Sequence, residues 1–119
     1  MWIAAGFYGF CNTNIKSGFE YISEIISLKE IIRNGKLIVT GEGKVDKTSF
    51  QGKVLGNVLD MCTAEKKAVG IVAGAISTEP PSTIQFHFAV LERANDLDDA
   101  LKNASSYLED IGVEISKLI

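Results

Sequence analysis

Histidine is nearly missing from these 119 residues: His87 stands alone, beside two cysteines, Cys11 and Cys62, and two prolines. Soft metal donors so few and so far apart, without a Cys-x-x-Cys spacing, exclude the common structural zinc patterns and a disulfide framework. Two reduced thiols in a cytoplasmic protein's core are the expectation. Basic clusters are lacking as well. Twelve Lys and Arg are scattered among 15 Asp and Glu, a formal net charge of −3, so the positive field that nucleic-acid binding requires is not there. Long apolar runs are also wanting. The opening Met1–Cys11 falls well short of the roughly 20 residues that span a bilayer, and it has no basic flank of the signal-peptide kind. No nucleic acid, no membrane and a cytoplasmic location are expected.

Hydrophobic residues make up 46% of the chain, enough for one packed domain over residues 1–119. The opening is unusual, with Trp2, Ile3, Phe7, Tyr8 and Phe10 close to a terminus that ordinarily frays into water. Those side chains are expected to be buried by the rest of the fold or by something outside it. Asn12–Asn14 reads as a turn. A helix follows from a Ser17 cap with Phe19, Ile22, Ile25 and Ile26 on one face, then a shorter one through Leu28, Ile31 and Ile32, stopped at Asn34-Gly35. Leu37-Ile38-Val39 has no polar alternation, the mark of a strand covered on both faces. Val54, Leu55, Val58, Leu59 and Cys62 form the face of a further helix. Ala68–Ala73 reads as a second buried strand. Ile84–Leu91 reads as a third, with Gln85 and His87 alternating outward, so His87 is a surface or edge residue rather than a base.

A last helix starts at Asn95-Asp96 and bears Leu97, Leu101, Ala104, Leu108, Ile111, Ile115 and Leu118, interrupted at Gly112. Packing of this stripe on the sheet is preferred to a coiled-coil seam. Strands separated by helices imply a mostly parallel sheet in a three-layer α/β/α domain, a partial Rossmann- or flavodoxin-like unit.

The chemistry is concentrated in Gly41–Lys53, which leaves a strand and leads into a helix, the usual place for ligands in open α/β sheets. Gly41, Gly43 and Gly52 permit positive φ or close backbone approach, and helix N-termini attract anions. Lys53 at the helix start opposes the dipole unless an anion balances it. A Walker A loop and a Gly-x-Gly-x-x-Gly fingerprint both fail at Asp46, which stands where a glycine belongs. Spacing alone leaves two readings open: an anion-binding strand–loop–helix, or a tight turn whose charges are solvated.

The run Leu37-Ile38-Val39-Thr40-Gly41-Glu42-Gly43-Lys44-Val45-Asp46, followed by Ser49-Phe50-Gln51-Gly52-Lys53, resembles the signature of type 1 glycerate kinases. Ala4-Ala5-Gly6, Gly9-Phe10, Lys16-Ser17-Gly18, Val72-Ala73-Gly74 and the segment from Leu97 onward are similar to the family's C-terminal portion. The resemblance implies ATP-dependent phosphorylation of D-glycerate with Mg²⁺. It further implies that Asp46 orients the glycerate hydroxyl or holds the metal. Lys53 and Lys44 would neutralise phosphate or carboxylate, and Thr40, Gly41, Gly43 and Gly52 would bind the anion. Glu42 is a metal-side carboxylate or, preferably, a loop-stabilising acceptor.

Lys44 replaces the family's usual Arg and loses the bidentate fork. The family's N-terminal part, including its Asp-Ser-Phe-Lys-like loop and second domain, has no counterpart in this sequence. The chain is therefore expected to be incomplete as a kinase, completed by an N-terminal chain or by a homo-oligomer. A non-catalytic anion- or nucleotide-binding module and a self-associating remnant are the alternatives.

Overall fold

The computed structural model describes residues 2–119, Trp2 by its backbone alone; Met1 and the Trp2 side chain lie outside the described residues. Helices α1 (Trp2–Phe10), α2 (Gly18–Ile25) and α3 (Leu28–Asn34) precede strand β1 (Leu37–Val45). Ser17 starts α2 with a capping box: its hydroxyl accepts from the Glu20 N–H while the Glu20 side chain reaches back to the Ser17 N–H. A 3₁₀ turn (Lys47–Phe50) then leads to α4 (Val54–Ala64), β2 (Ala68–Ile76) and β3 (Phe86–Ala89), and α5 (Leu97–Lys102) and α6 (Ala104–Leu118) close the chain.

The three strands pair in the order β1-β2-β3, all parallel, with Leu37 opposite Ala68, Val45 opposite Ile76, and Gly70 opposite Phe86. Alternation along β2 divides the interior in two. Val69, Ile71 and Ala73 meet Leu55, Val58, Leu59 and Cys62 of α4 and Ile32 of α3. On the opposite face Val72 and Phe88 meet Val90, Ala100 and Ile111 beside α5 and α6. The sheet thus lies between two helical layers, as the strand–helix alternation implies. Cys62 is fully buried, as expected of a core thiol, and burial pushes its pKa up. Cys11, expected in the core, is exposed beyond α1.

Several boundaries differ from the sequence expectation. β1 runs six residues past Val39, because β2 extends to Ile76 and offers partners throughout. Glycines that look like loop formers instead let the two backbones approach: a Cβ on Gly41 would lie 2.6 Å from the Val72 carbonyl oxygen, and one on Gly74 would lie 2.5 Å from that of Gly43. The third strand is shorter than expected, since Val90–Glu92 coils into a 3₁₀ turn. The last helix divides at Asn103, not at Gly112, which lies inside α6.

Only part of its apolar stripe is covered. Ile111 is buried, but Leu97, Leu101, Leu108 and Leu118 are exposed, as is Val54 on α4. Helix α1 packs least of all, with Ile3, Phe7, Tyr8 and Phe10 exposed. The radius of gyration is 17.2 Å, against about 13.5 Å for a compact chain of this length, which fits an element that stands away from the core.

Candidate functional site

The site is built where β1 ends. Asp46 leaves the strand with extended backbone and caps the 3₁₀ turn. Its Oδ1 accepts from the Thr48 N–H at 2.8 Å and from the Thr48 hydroxyl at 2.7 Å. In return the Asp46 N–H donates to Oγ of the buried Ser49 at 3.0 Å. The bond from the Thr48 hydroxyl, then that from its N–H, hold the Asp46 carboxyl below the usual carboxylate range, and the nearby Lys53 charge acts in the same direction. Asp46 is therefore ionised at neutral pH. Its Oδ2 takes no hydrogen bond among the described residues.

Lys53 Nζ donates to Thr48 Oγ1 at 2.8 Å, so an ammonium, a hydroxyl and a carboxylate form one hydrogen-bonded chain. Lys53 is also the residue before the first turn of α4, one position earlier than expected, and no side chain caps that helix. The N–H groups of Val54, Leu55 and Gly56 are thus free of intrahelical partners and face outward from the helix start. Gly52, with φ +66°, turns the chain into α4 in a conformation that glycine adopts without strain. Gly56 seats α4 against the turn: a Cβ there would lie 2.7 Å from the Phe50 carbonyl oxygen.

The remaining sequence-predicted residues lie in the strand. Thr40, half-buried and opposite Ile71, is six residues before Asp46, roughly 20 Å at the rise of an extended chain. Gly41 follows it in the ladder. Neither is brought to the Asp46–Lys53 group. Glu42, Gly43 and Lys44 instead line a groove of about 460 Å³ between the ends of β1 and β2 and the two C-terminal helices. The Glu42 Oε2 is screened from solvent and has no hydrogen-bond partner among the described residues. His87 is exposed on β3, as its alternation indicates. Among the described residues no group of three His, Cys, Asp or Glu could enclose a metal ion, and no helix is long and apolar enough to cross a membrane.

Sequence reasoning missed Thr48, which joins the two charges, and Ser49, which anchors the turn from below. Asp46-Lys47-Thr48-Ser49 is a capping pattern, an Asp followed by hydroxyls two and three residues on, and that pattern was the available signal.

The profile of the Glycerate kinase family matches residues 3–119. The chain is 32% identical over 125 residues to a glycerate kinase of Neisseria meningitidis serogroup B, covering 98% of itself and 32% of that relative. It is 31% identical over 107 residues to the glycerate 2-kinase of Escherichia coli K12, covering 86% of itself and 28% of that relative. A crystal structure from Salmonella typhimurium LT2, described as that of a glycerate kinase 2, superposes with a TM-score of 0.62 at 22% identity, over 98% of this chain and 32% of the other. The chain therefore spans about a third of the length of the curated relatives it matches.

Proposed function

The chain belongs to the glycerate kinase family, and from that premise we propose that it supplies the phosphate-handling face of an ATP-dependent kinase acting on D-glycerate. In this reading it corresponds to the C-terminal third of a full-length member, works in the cytoplasm, and is completed by a chain carrying the other two thirds. The observation that carries the reading is the Asp46–Thr48–Lys53 chain at the mouth of the sheet, beside an uncapped helix N-terminus.

Phosphoryl transfer asks the protein mainly for positioning and charge neutralisation. Asp46, held ionised by Thr48, accepts a hydrogen bond from the glycerate hydroxyl and aims its oxygen at the terminal phosphorus of ATP. The same lowered pKa makes it a weak base, so orienting the hydroxyl is its first task and taking up the proton its second. Lys53 and the first N–H groups of α4 balance the charge on the moving phosphoryl group. Thr48 keeps the carboxylate and the ammonium in register without letting them collapse onto each other. Lys44 adds a second cation at the end of β1, and Gly52 leaves the approach to α4 clear of side chains. A carboxylate oxygen without a hydrogen bond among the described residues suits Mg²⁺, which takes one or two carboxylates together with substrate phosphates and water. Asp46 would hold it, and when bound the ion would neutralise phosphate charge.

ATP-dependent glycerate turnover, measured for the chain alone and mixed with the first two thirds of the Neisseria meningitidis relative, tests the proposal. Activity in the mixture and none in either part is expected; an inert mixture in which the two parts demonstrably bind would refute it. Self-association is the second reading, favoured by the uncovered α1, where Phe10 is 94% exposed. Light scattering decides it, a concentration-independent monomer dismissing the second reading.

A further inference from the structure

We propose that Ser77, the first residue beyond β2, is a positioning residue that holds the backbone entering Asp46 and so aims its carboxylate. The inference rests on the kinase reading above, in which that carboxylate orients the substrate hydroxyl, and adds to it a residue from a different strand. The ladder between β1 and β2 ends with Val45 opposite Ile76. Ser77 follows and reaches across twice. Its N–H donates to the Val45 carbonyl oxygen at 2.9 Å, and its hydroxyl donates to the same oxygen at 3.3 Å. The other end of that peptide bond is held from the turn. The Asp46 N–H donates to Oγ of the buried Ser49 at 3.0 Å, and the Ser49 hydroxyl points at the Lys44 carbonyl oxygen, 3.5 Å away.

Both polar groups of the Val45–Asp46 peptide are thus engaged, and the Val45 side chain is fully buried. Because a peptide unit is planar, holding its C=O and its N–H fixes the tilt of the whole plane. Thr48 sets the rotation of the Asp46 side chain, but the Cα that bears it is placed by this peptide. A misplacement of about 1 Å at a group that aligns a reacting atom costs on the order of 10²-fold in rate. The Ser77 hydroxyl is not needed to end the strand. Serine hydroxyls in turns bond backbone groups within about four residues of themselves, whereas this one spans 32 residues to the neighbouring strand. Ladder pairing uses only the Ser77 N–H, and Ser77 is exposed, so packing does not call for the hydroxyl either. What the hydroxyl adds is a second donor on the carbonyl that precedes Asp46.

Ser77→Ala keeps the ladder N–H and deletes only the hydroxyl; at an exposed position the thermal melt should stay unchanged. In the chain alone, hydrogen exchange followed by NMR should show the Asp46 N–H exchanging about three- to tenfold faster. The Asp99 N–H, capped by the Asp96 carboxylate at the start of α5, should exchange as in the wild type. Ser77→Thr, which keeps a hydroxyl on the same carbon, should restore the exchange rate at Asp46. In the complemented assay Ser77→Ala should lower kcat about tenfold with KM within about twofold, and Ser77→Thr should recover it. Unchanged exchange at Asp46 in Ser77→Ala overturns the inference. So does equal acceleration at Asp46 and Asp99, which would mean a general loosening. A wild-type kcat for Ser77→Ala in an active mixture overturns it too. An inert wild-type mixture would refute the kinase reading instead, and exchange at the Asp46 N–H would still decide whether Ser77 holds that residue.

Discussion

The two halves of the segment Thr40–Lys53 are made of different materials although they read as one motif. From Thr40 to Val45 the chain is strand, paired with β2 at every residue but Gly43 and bordered by an apolar groove. From Asp46 to Lys53 it is a hydrogen-bonded turn in which a carboxylate, a hydroxyl and an ammonium form one chain while the Ser49 hydroxyl holds the Asp46 N–H. Glycine serves both halves for opposite reasons. Gly41 lets two strands approach, whereas Gly52 lets the backbone adopt a positive φ. A glycine-rich run after a strand is therefore not by itself a loop; the neighbouring strand decides how far the ladder extends.

The polar half is the more sensitive of the two to substitution. Asp46→Asn is expected to lower turnover in the complemented assay by roughly 10²–10⁴-fold. Stability should change little, because Asn caps a turn about as well as Asp; unfolding in urea checks this. A full rate would move the chemistry elsewhere. Next in size is the strand half's support. Ile71→Ala empties a fully buried position facing α4 and should cost about 2–5 kcal/mol by the same unfolding measurement. Leu101→Ala, on the uncovered wall, should cost less than about 0.5 kcal/mol.

Gly56→Ala joins the halves, since its new methyl would strike the Phe50 backbone. It should destabilise by about 1–3 kcal/mol and displace the turn, seen as shifted amide resonances from Asp46 to Lys53. Thr48→Val removes the bridging hydroxyl and should cost about 1 kcal/mol. It should also let the Asp46 pKa rise toward its ordinary value, read by carboxyl NMR titration; Thr48→Ser should restore both. The smallest effect is acid sensitivity. Asp46, Glu65, Asp99 and Glu114 all have folded pKa values below their ordinary ones, so they bind fewer protons folded than unfolded. Their contribution is present above the unfolded values near pH 4 and is lost as pH falls through the folded ones. A melting temperature that is flat above about pH 5 and declines below pH 4 is expected.

Much of this was legible in the residues. Strand–helix alternation gave the parallel sheet between helical layers, Ser17 marked its helix, and Asp46 and Lys53, singled out by the family signature, lie in one hydrogen-bonded chain through Thr48. What stayed hidden was set by neighbours in space. Val54 and the leucines of α5 and α6 have helical spacing that implies burial, but nothing in the described residues covers them. β1 could be measured only once β2 was known to run beside it. Asn103 breaks the last helix where Gly112 had seemed the weaker point, so glycine propensity lost to the packing of Ala100 and Ile111 against Val90. Thr48 was missed because a threonine between a lysine and a serine has no period of its own.

Where a nucleotide touches this chain is the most direct test of the proposed function. Amide NMR of the chain titrated with ATP is predicted to move Asp46, Thr48, Lys53 and Val54 together with Gly43 and Lys44, and to leave α2 and α3 still. Resonances that stay fixed from residue 43 to 54, or that shift only in α1 and α2, would contradict it.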